Sequence, residues 1–423
     1  MELIILLLSL LGLLAIRVPV AFALLISSML VFALLGLNPL IAVQRLSAGI
    51  DVFTLMAIPF FVFAGDLMTQ TGIAARLIRV AEGLFGRVRG GLGHVNVGAS
   101  MMFGAVSGSA VASVSAIGST MIPIMEEKGY DRDFSVNVTC SAAVLGLIIP
   151  PSHNMIIYAA AAGVSISIGD LFVAGILPGV LCGFALMVAV SILARIKGYS
   201  KGAFPGFKAL ILSAIGAIPG LLTAVIIVVG ILGGVFTPTE SSAVAIVYTL
   251  VIGVFVYRSL GLREFKAAVV NSAKTTAMIM LIIGSAAAFG WLLALLEAPL
   301  MMSQLILGAT DSPIVILALV LLCLLVLGTF MDMAPLIIIV TPIFLPVVQS
   351  IGVDPVHFGI IMMLALGIGT ITPPVGTVLF VGSAVGKIRM EDTVKTMWPF
   401  YLALILCLLL VTYVPQISLL LVG

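Results

Sequence analysis

The sequence predicts an all-α polytopic membrane protein with two inverted repeats, each holding a re-entrant helical hairpin and a helix broken by a proline pair. Three observations predict it. Apolar residues make up 62% of the 423-residue chain and charged residues 9%, where soluble domains carry about 25% charged residues; mean hydropathy is +1.36. Most basic residues fall in short clusters, which fall on one side of a membrane only if two segments enter and leave by the same face. The halves also match at their unusual positions, so that Pro150-Pro151 recurs 223 residues later as Pro373-Pro374.

The opening run, residues 3–37, holds one charge, Arg17, and no small-residue cleavage pattern after a short core. It reads as two membrane segments rather than a removed signal peptide. Residues 38–57, with Arg45 and Asp51, read as an external helix-like stretch that could meet a periplasmic protein. Basic residues then cluster at Arg76–Arg89, Lys128 with Arg132, Arg195–Lys208, Arg258–Lys274 and Lys387–Lys395. The two segments that must turn back are 93–125, between basic loops, and 313–348, between loops without a base. With that threading 18 of the 19 Lys and Arg residues face inside, only Arg45 faces outside, and the N-terminus is periplasmic. The charged runs are topology determinants and lipid-headgroup contacts.

The repeat holds one register over the central part of each half. Pro123 meets Pro346, Gly129-Tyr130-Asp131 meets Gly352-Val353-Asp354, Gly146 meets Gly369, and Gly163 meets Gly386. Upstream, RVPVAFA from Arg17 roughly meets FTPTESSA from Phe236 at an offset of 219, so loop lengths differ. The threading gives the halves opposite sense, and paired interruptions in such repeats point to a transporter's binding site.

The proline pairs break helices over 134–162 and 358–380, since proline removes a backbone donor and clashes with the preceding turn. Irregular backbone at membrane depth must be buried in protein or line a polar cavity. Freed carbonyls suit a cation, and the following half-helix N-terminus suits an anion. The polar residues near the breaks are small and oxygen-rich: Ser152 and Asn154, then Thr370, Thr372 and Thr377. Such ligands suit Na⁺. The first hairpin carries the tip Ser107-Gly108-Ser109, where glycine tolerates a positive φ. The second carries Gly328, Thr329 and Asp332. A carboxylate within an apolar run is costly and functional by default; the plainer role for Asp332 is a helix end at the hairpin mouth.

Other residues divide between roles. Glu240 in FTPTESS caps the following helix in the simplest reading. Asp66 is open between structure and function. His153 is either a substrate contact or a hydrogen-bonded interior histidine, His94 anchors the start of the first hairpin, and His357 reads as a surface residue. The hairpin serines are either ligands or small-residue packing. Cys140, Cys182, Cys323 and Cys407 lie far apart in apolar runs and read as packed thiols. No Walker A sequence, metal pair or nucleophile–base pair supports ATP use or an enzyme. No aromatic residues interleave with the basic ones, so nothing points to nucleic acid. No cofactor is implied beyond Na⁺ as coupling ion.

With these residues in view, the chain resembles the large membrane subunit of a tripartite ATP-independent periplasmic (TRAP) transporter, including members of the sialic acid type. The matching elements are RVPVAFAL at 17–24, IPFFVFAGDLM at 58–68, LIIPPSHNMIIYA at 147–159, FTPTESSAVA at 236–245, and GVDPVHFGI with TPPVGTVLF in the last quarter. The resemblance covers nearly the whole chain. It implies an elevator transporter whose scaffold comprises 1–92 and 195–311 and whose transport halves comprise 93–194 and 312–423. It implies Na⁺-coupled uptake of an organic acid, with a small four-helix membrane subunit and a periplasmic substrate-binding protein as partners, in a bacterial inner membrane. The family's cation sites lie at hairpin tips and breaks. Carried over, they suggest Ser107, Gly108, Ser109, Ser152 and Asn154 for one Na⁺, and Gly328, Thr329, Asp332, Thr370, Thr372 and Gly376 for another. The half-helices after Pro151 and Pro374 would receive a carboxylate, with His153, Asn154 and Thr377 within reach. The sequence PPSHN departs from the more apolar stretch of many relatives, which marks His153. A sialic-acid-type sugar acid and a C4-dicarboxylate are the expected cargo classes. The rival readings are an ion channel and a proton-coupled antiporter built on inverted repeats.

Overall fold

The structure, a computed structural model, describes residues 1–423 except 17, 203–205, 299, 302–303, 305–307, 309, 311 and 423. Arg17, counted among the inward-facing bases, lies outside the described residues, as does much of the base-free loop before Pro313. The described residues form helices and no strand; Arg89 and Lys201 make one isolated antiparallel bridge. Six helices are long and apolar enough to cross a membrane, or seven if a bent pair counts as one. That is a polytopic membrane protein. The opening apolar run forms two short helices, Glu2–Ala15 and Val20–Leu34. Pro19 occupies the N-cap of the second, where its missing N–H interrupts no helical ladder.

Helix starts follow local chemistry. Asn38 accepts from the Leu40 N–H at 2.9 Å and opens Pro39–Ile50. Thr237 and Glu240 form a capping box at the head of Pro238–Val251, as the sequence reading of Glu240 expects. Asp354 accepts from the Val356 and His357 N–H groups and opens Pro355–Thr370. The 34-residue helix Leu262–Leu295 is the spine of one side of the molecule and packs against Val20–Leu34, Pro39–Ile50, Ala57–Gln70 and Met333–Ser350. Its Trp291 stacks on Phe32 at 5.5 Å between centroids and carries the Arg45 guanidinium 5.0 Å above its ring.

Two helix–turn–helix units pack against two interrupted helices. In the first unit, Gly91–Ser107 reverses at Gly108, whose φ is +61°, and returns through Ala110–Ser113, a π-helical turn and Ser119–Glu127. The first interrupted helix runs Arg132–Ile148, then His153–Ala161 at an angle of 50°. The second unit is Pro313–Gly328 and Met333–Ser350, and the second interrupted helix is Pro355–Thr370 and Thr377–Val385. Each unit crosses its broken helix at a pair of glycines. A Cβ on Gly104 would lie 2.4 Å from Gly146 Cα, and one on Gly369 would lie 2.5 Å from the Gly328 backbone. Only glycine permits backbones this close.

The interrupted helices hold the two halves together. Asn137 Nδ2 donates to Thr393 O at 3.1 Å and Thr396 Oγ1 at 2.8 Å. The Tyr158 hydroxyl donates to Pro355 O at 2.6 Å, and its ring lies against Gly359. His94 anchors the start of the first unit, with Nδ1 3.0 Å from Gly90 O and Nε2 2.8 Å from Ser191 Oγ. Asn96 Nδ2 ties that unit to the first interrupted helix by donating to Thr139 Oγ1 at 2.7 Å.

One expectation is corrected. His357 is not at the surface: it is 2% exposed. Trp398–Tyr413 and the short helix Gln416–Leu419 fold over it, and its ring nitrogens meet Ser418 Oγ at 2.6 Å and Thr412 O at 3.3 Å. The polar GVDP sequence caps the start of this helix, and His357 in its first turn faces inward.

Candidate functional site

The hairpin tips sit on the helix breaks. A Cβ at Gly108 would lie 2.8 Å from Pro151 O, 3.5 Å from Ser152 Cα and 3.6 Å from His153 Nδ1. Ser109 caps the short helix that follows by accepting from the Ala112 N–H at 3.3 Å. Ser152 is fully buried, and its Oγ has no hydrogen-bond partner among the described residues; the same holds for Ser113 Oγ. At the second break, Thr329 O accepts from the Val375 and Gly376 N–H groups at 3.1 and 3.4 Å. Gly376 has a φ of +51°, and a Cβ there would lie 3.1 Å from Thr372 O and 3.4 Å from Thr370 O. Carbonyl oxygens therefore converge on this break. Asp332 stands at the N-cap of Met333–Ser350 and accepts from Thr377 Oγ1 at 3.3 Å.

A cavity of about 510 Å³ opens between these parts, within the size range of small-molecule sites. Of the sequence-derived candidates, Ser107, Ser109, His153, Asn154, Asp332 and Thr370 line it. Gly108, Pro151, Ser152, Gly328, Thr329, Thr372, Pro374, Gly376 and Thr377 do not; they form the tips and breaks behind or beside its wall. Asn154 is 3% exposed and lines the cavity.

The family profile described as "Tripartite ATP-independent periplasmic transporter, DctM component" matches residues 7–417. The chain belongs to that family. A DctM component is a transporter permease subunit and not an enzyme. The chain is 40% identical to the "C4-dicarboxylate TRAP transporter large permease protein DctM" of Vibrio cholerae, over 96% of this chain and 94% of that one. It is 39% identical to the "Sialic acid TRAP transporter large permease protein SiaM" of the same organism, over 97% and 96%. Its fold is similar to that in the "Crystal structure of the Alcanivorax borkumensis YdaH transporter", with a TM-score of 0.59 at 14% identity, over 88% of this chain and 86% of that one.

This DctM-family chain also brings residues to the cavity that the sequence-derived site omits. Ser115 comes from the first hairpin, Asp66 and Thr69 from Ala57–Gln70, and Asn271 and Thr275 from Leu262–Leu295. Asp66 stands out in sequence as a charge within IPFFVFAGDLM. Asn271 and Thr275 carry the four-residue spacing of one helix face, but they lie beside Lys274 in a stretch that reads as a cytoplasmic basic cluster.

Proposed function

We propose that this chain is the large membrane subunit of a Na⁺-coupled importer of organic acids in a bacterial inner membrane. It works with a small four-helix membrane subunit and a periplasmic substrate-binding protein, and its N-terminus is periplasmic. The observation that carries this reading is the shared cavity. Two hairpin tips, two helix breaks and two carboxylates meet around a space large enough for a small organic acid. The half-helices His153–Ala161 and Thr377–Val385 begin at the breaks, where helix N-termini favour a carboxylate. Ser152 Oγ at one break and the Thr370 and Thr372 carbonyls at the other are uncharged oxygens suited to Na⁺. The names of the relatives favour a C4-dicarboxylate or a sialic-acid-type sugar acid as cargo.

The two halves form inverted repeats. The hairpins and broken helices, joined through Asn137, Tyr158 and the paired glycines, move as one transport body against a scaffold of Ala57–Gln70, Leu262–Leu295 and their neighbours, in the manner of an elevator. The test is reconstitution of this chain with its small membrane partner in liposomes. Labelled sialic acid and succinate are offered with and without a Na⁺ gradient and the binding protein. Uptake that needs both supports the reading. Uptake indifferent to both would favour a channel or proton-driven carrier.

A further inference from the structure

The cavity holds two carboxylates, Asp66 and Asp332, and one histidine, with no Lys or Arg among its lining residues. An anionic cargo therefore finds no fixed positive side chain in the wall. Its carboxylate must be met by bound cations and by the helix ends at the breaks. Asp332 already has a donor in Thr377. Asp66 does not: its Oδ2 is buried and has no hydrogen-bond partner among the described residues. A carboxylate oxygen without a donor is costly, and Asp66 lines the cavity, so a donor carried by the cargo would offset that cost.

The surrounding wall agrees. Asp66 and Thr69 lie one turn apart on Ala57–Gln70, which packs against Leu262–Leu295. On that second helix Asn271, Thr275, Met278 and Ile282 line the cavity in one stripe, polar at one end and apolar at the other. Thr69 spends its hydroxyl proton on Gly65 O at 2.9 Å, which leaves its lone pairs open to a donor. Across the space, Asn154 lines the cavity from a nearly buried position. The small oxygen-rich groups suited to a cation, Ser152 Oγ and the Thr372 carbonyl, belong to the breaks and not to this face.

Resting on the organic-acid reading above, we propose that Asp66, with Thr69, Asn271 and Thr275, forms a cargo-selecting wall. It takes the hydrogen-bond donors of an acid that carries hydroxyl or amine groups at the end opposite its carboxylate. A hydroxylated sugar acid fits this wall. A plain dicarboxylate such as succinate would set its second carboxylate against Asp66, where like charges repel and no donor reaches Oδ2.

The test uses the complex of this chain with its small membrane partner, without the binding protein, whose own selectivity would mask the permease. Binding of sialic acid, gluconate and succinate is measured across a Na⁺ titration, for the unsubstituted chain and for Asp66→Asn and Asn271→Ala. The expected result is Na⁺-dependent binding of a hydroxylated acid at least about tenfold tighter than succinate. Asp66→Asn should narrow that ratio by about tenfold and leave the half-saturating Na⁺ concentration unchanged. Asn271→Ala, at a position open to the cavity, should narrow it less. Tighter binding of succinate, an unchanged ratio in Asp66→Asn, or a Na⁺ requirement raised by that substitution would overturn this inference alone. In the last case Asp66 is a cation ligand. Absence of Na⁺-dependent binding for every acid would overturn the transport reading as well.

Discussion

At the scale of single residues, the carboxylate of Asp332 accepts from Thr377 Oγ1 at 3.3 Å and lines a cavity with no Lys or Arg among its lining residues. If it holds Na⁺, Asp332→Ala should raise the half-saturating Na⁺ concentration for uptake by about tenfold or more, the range for losing a bond to a charged group. Na⁺-titrated uptake in liposomes reads this directly, and an unchanged value would leave Asp332 as a helix cap. Gly369 poses a separate question of space. A Cβ there meets the Gly328 backbone at 2.5 Å, and backbone cannot swing aside as a long side chain can. Gly369→Val should lower stability by about 1–3 kcal/mol, the usual cost of forced overpacking, and should depress the thermal transition in detergent. Both glycines are legible in sequence through the repeat, because Gly146 and Gly369 fall at matching positions before the proline pairs. What they touch was not legible. Gly104 carries no local mark, and Gly328, marked as a residue of the second hairpin, carries no sign of which backbone it meets.

At the scale of elements, punctuation explains what could be read. Proline pairs, the SGS tip and the Thr-Pro-Thr-Glu cap act within a few residues of themselves, so their effects follow from the sequence. The capping box can be tested alone. Thr237→Ala removes the acceptor of the Glu240 N–H and should cost about 1 kcal/mol, read as a lower thermal transition with uptake retained. Contacts between distant elements were not readable. His357 reads as a surface residue because the helices that cover it follow some 40 to 60 residues later. Asn271 and Thr275 escape notice in the sequence because their neighbouring Lys274 marks a loop by charge, while the chain there lies within a long helix. A surface tie between elements also has a defined pH dependence. Lys197, hydrogen-bonded to Asp131, holds that carboxyl below its usual value of 3.8, with help from the Tyr199 hydroxyl at 3.0 Å. A lowered pKa in the folded state gives stability that is fully present above the unfolded value. It is lost as pH falls through the folded one. Asp131 is about half exposed, so the loss stays within about 1 kcal/mol. Asp131→Asn should lower the thermal transition at pH 7 by the equivalent of at most about 1 kcal/mol and flatten its pH dependence below about pH 4.

At the scale of the whole molecule, the hydrogen bonds and glycine crossings are unevenly distributed. The two halves are joined by Asn137 to Thr393 and Thr396 and by Tyr158 to Pro355, and within the second half Tyr401 donates to Ile371 O at 2.7 Å. The cavity lies between part of this body and the polar residues of Ala57–Gln70 and Leu262–Leu295, which pack against Gly91–Ser107 and Met333–Ser350 beside it. The proposed elevator movement would carry that body against the other wall without breaking these ties. Spin labels at the exposed positions Lys128, Lys274 and Lys395 test this. Lys128 and Lys395 flank the Asn137 tie, so their separation should hold when Na⁺ and cargo are added. Lys274 stands on the long helix, so its distance to Lys128 should shift or split into two populations under the same conditions. A constant 128–274 distance alongside Na⁺-driven uptake would rule out rigid-body sliding. It would place the alternation of access in local movement of the hairpin tips at Gly108 and Thr329.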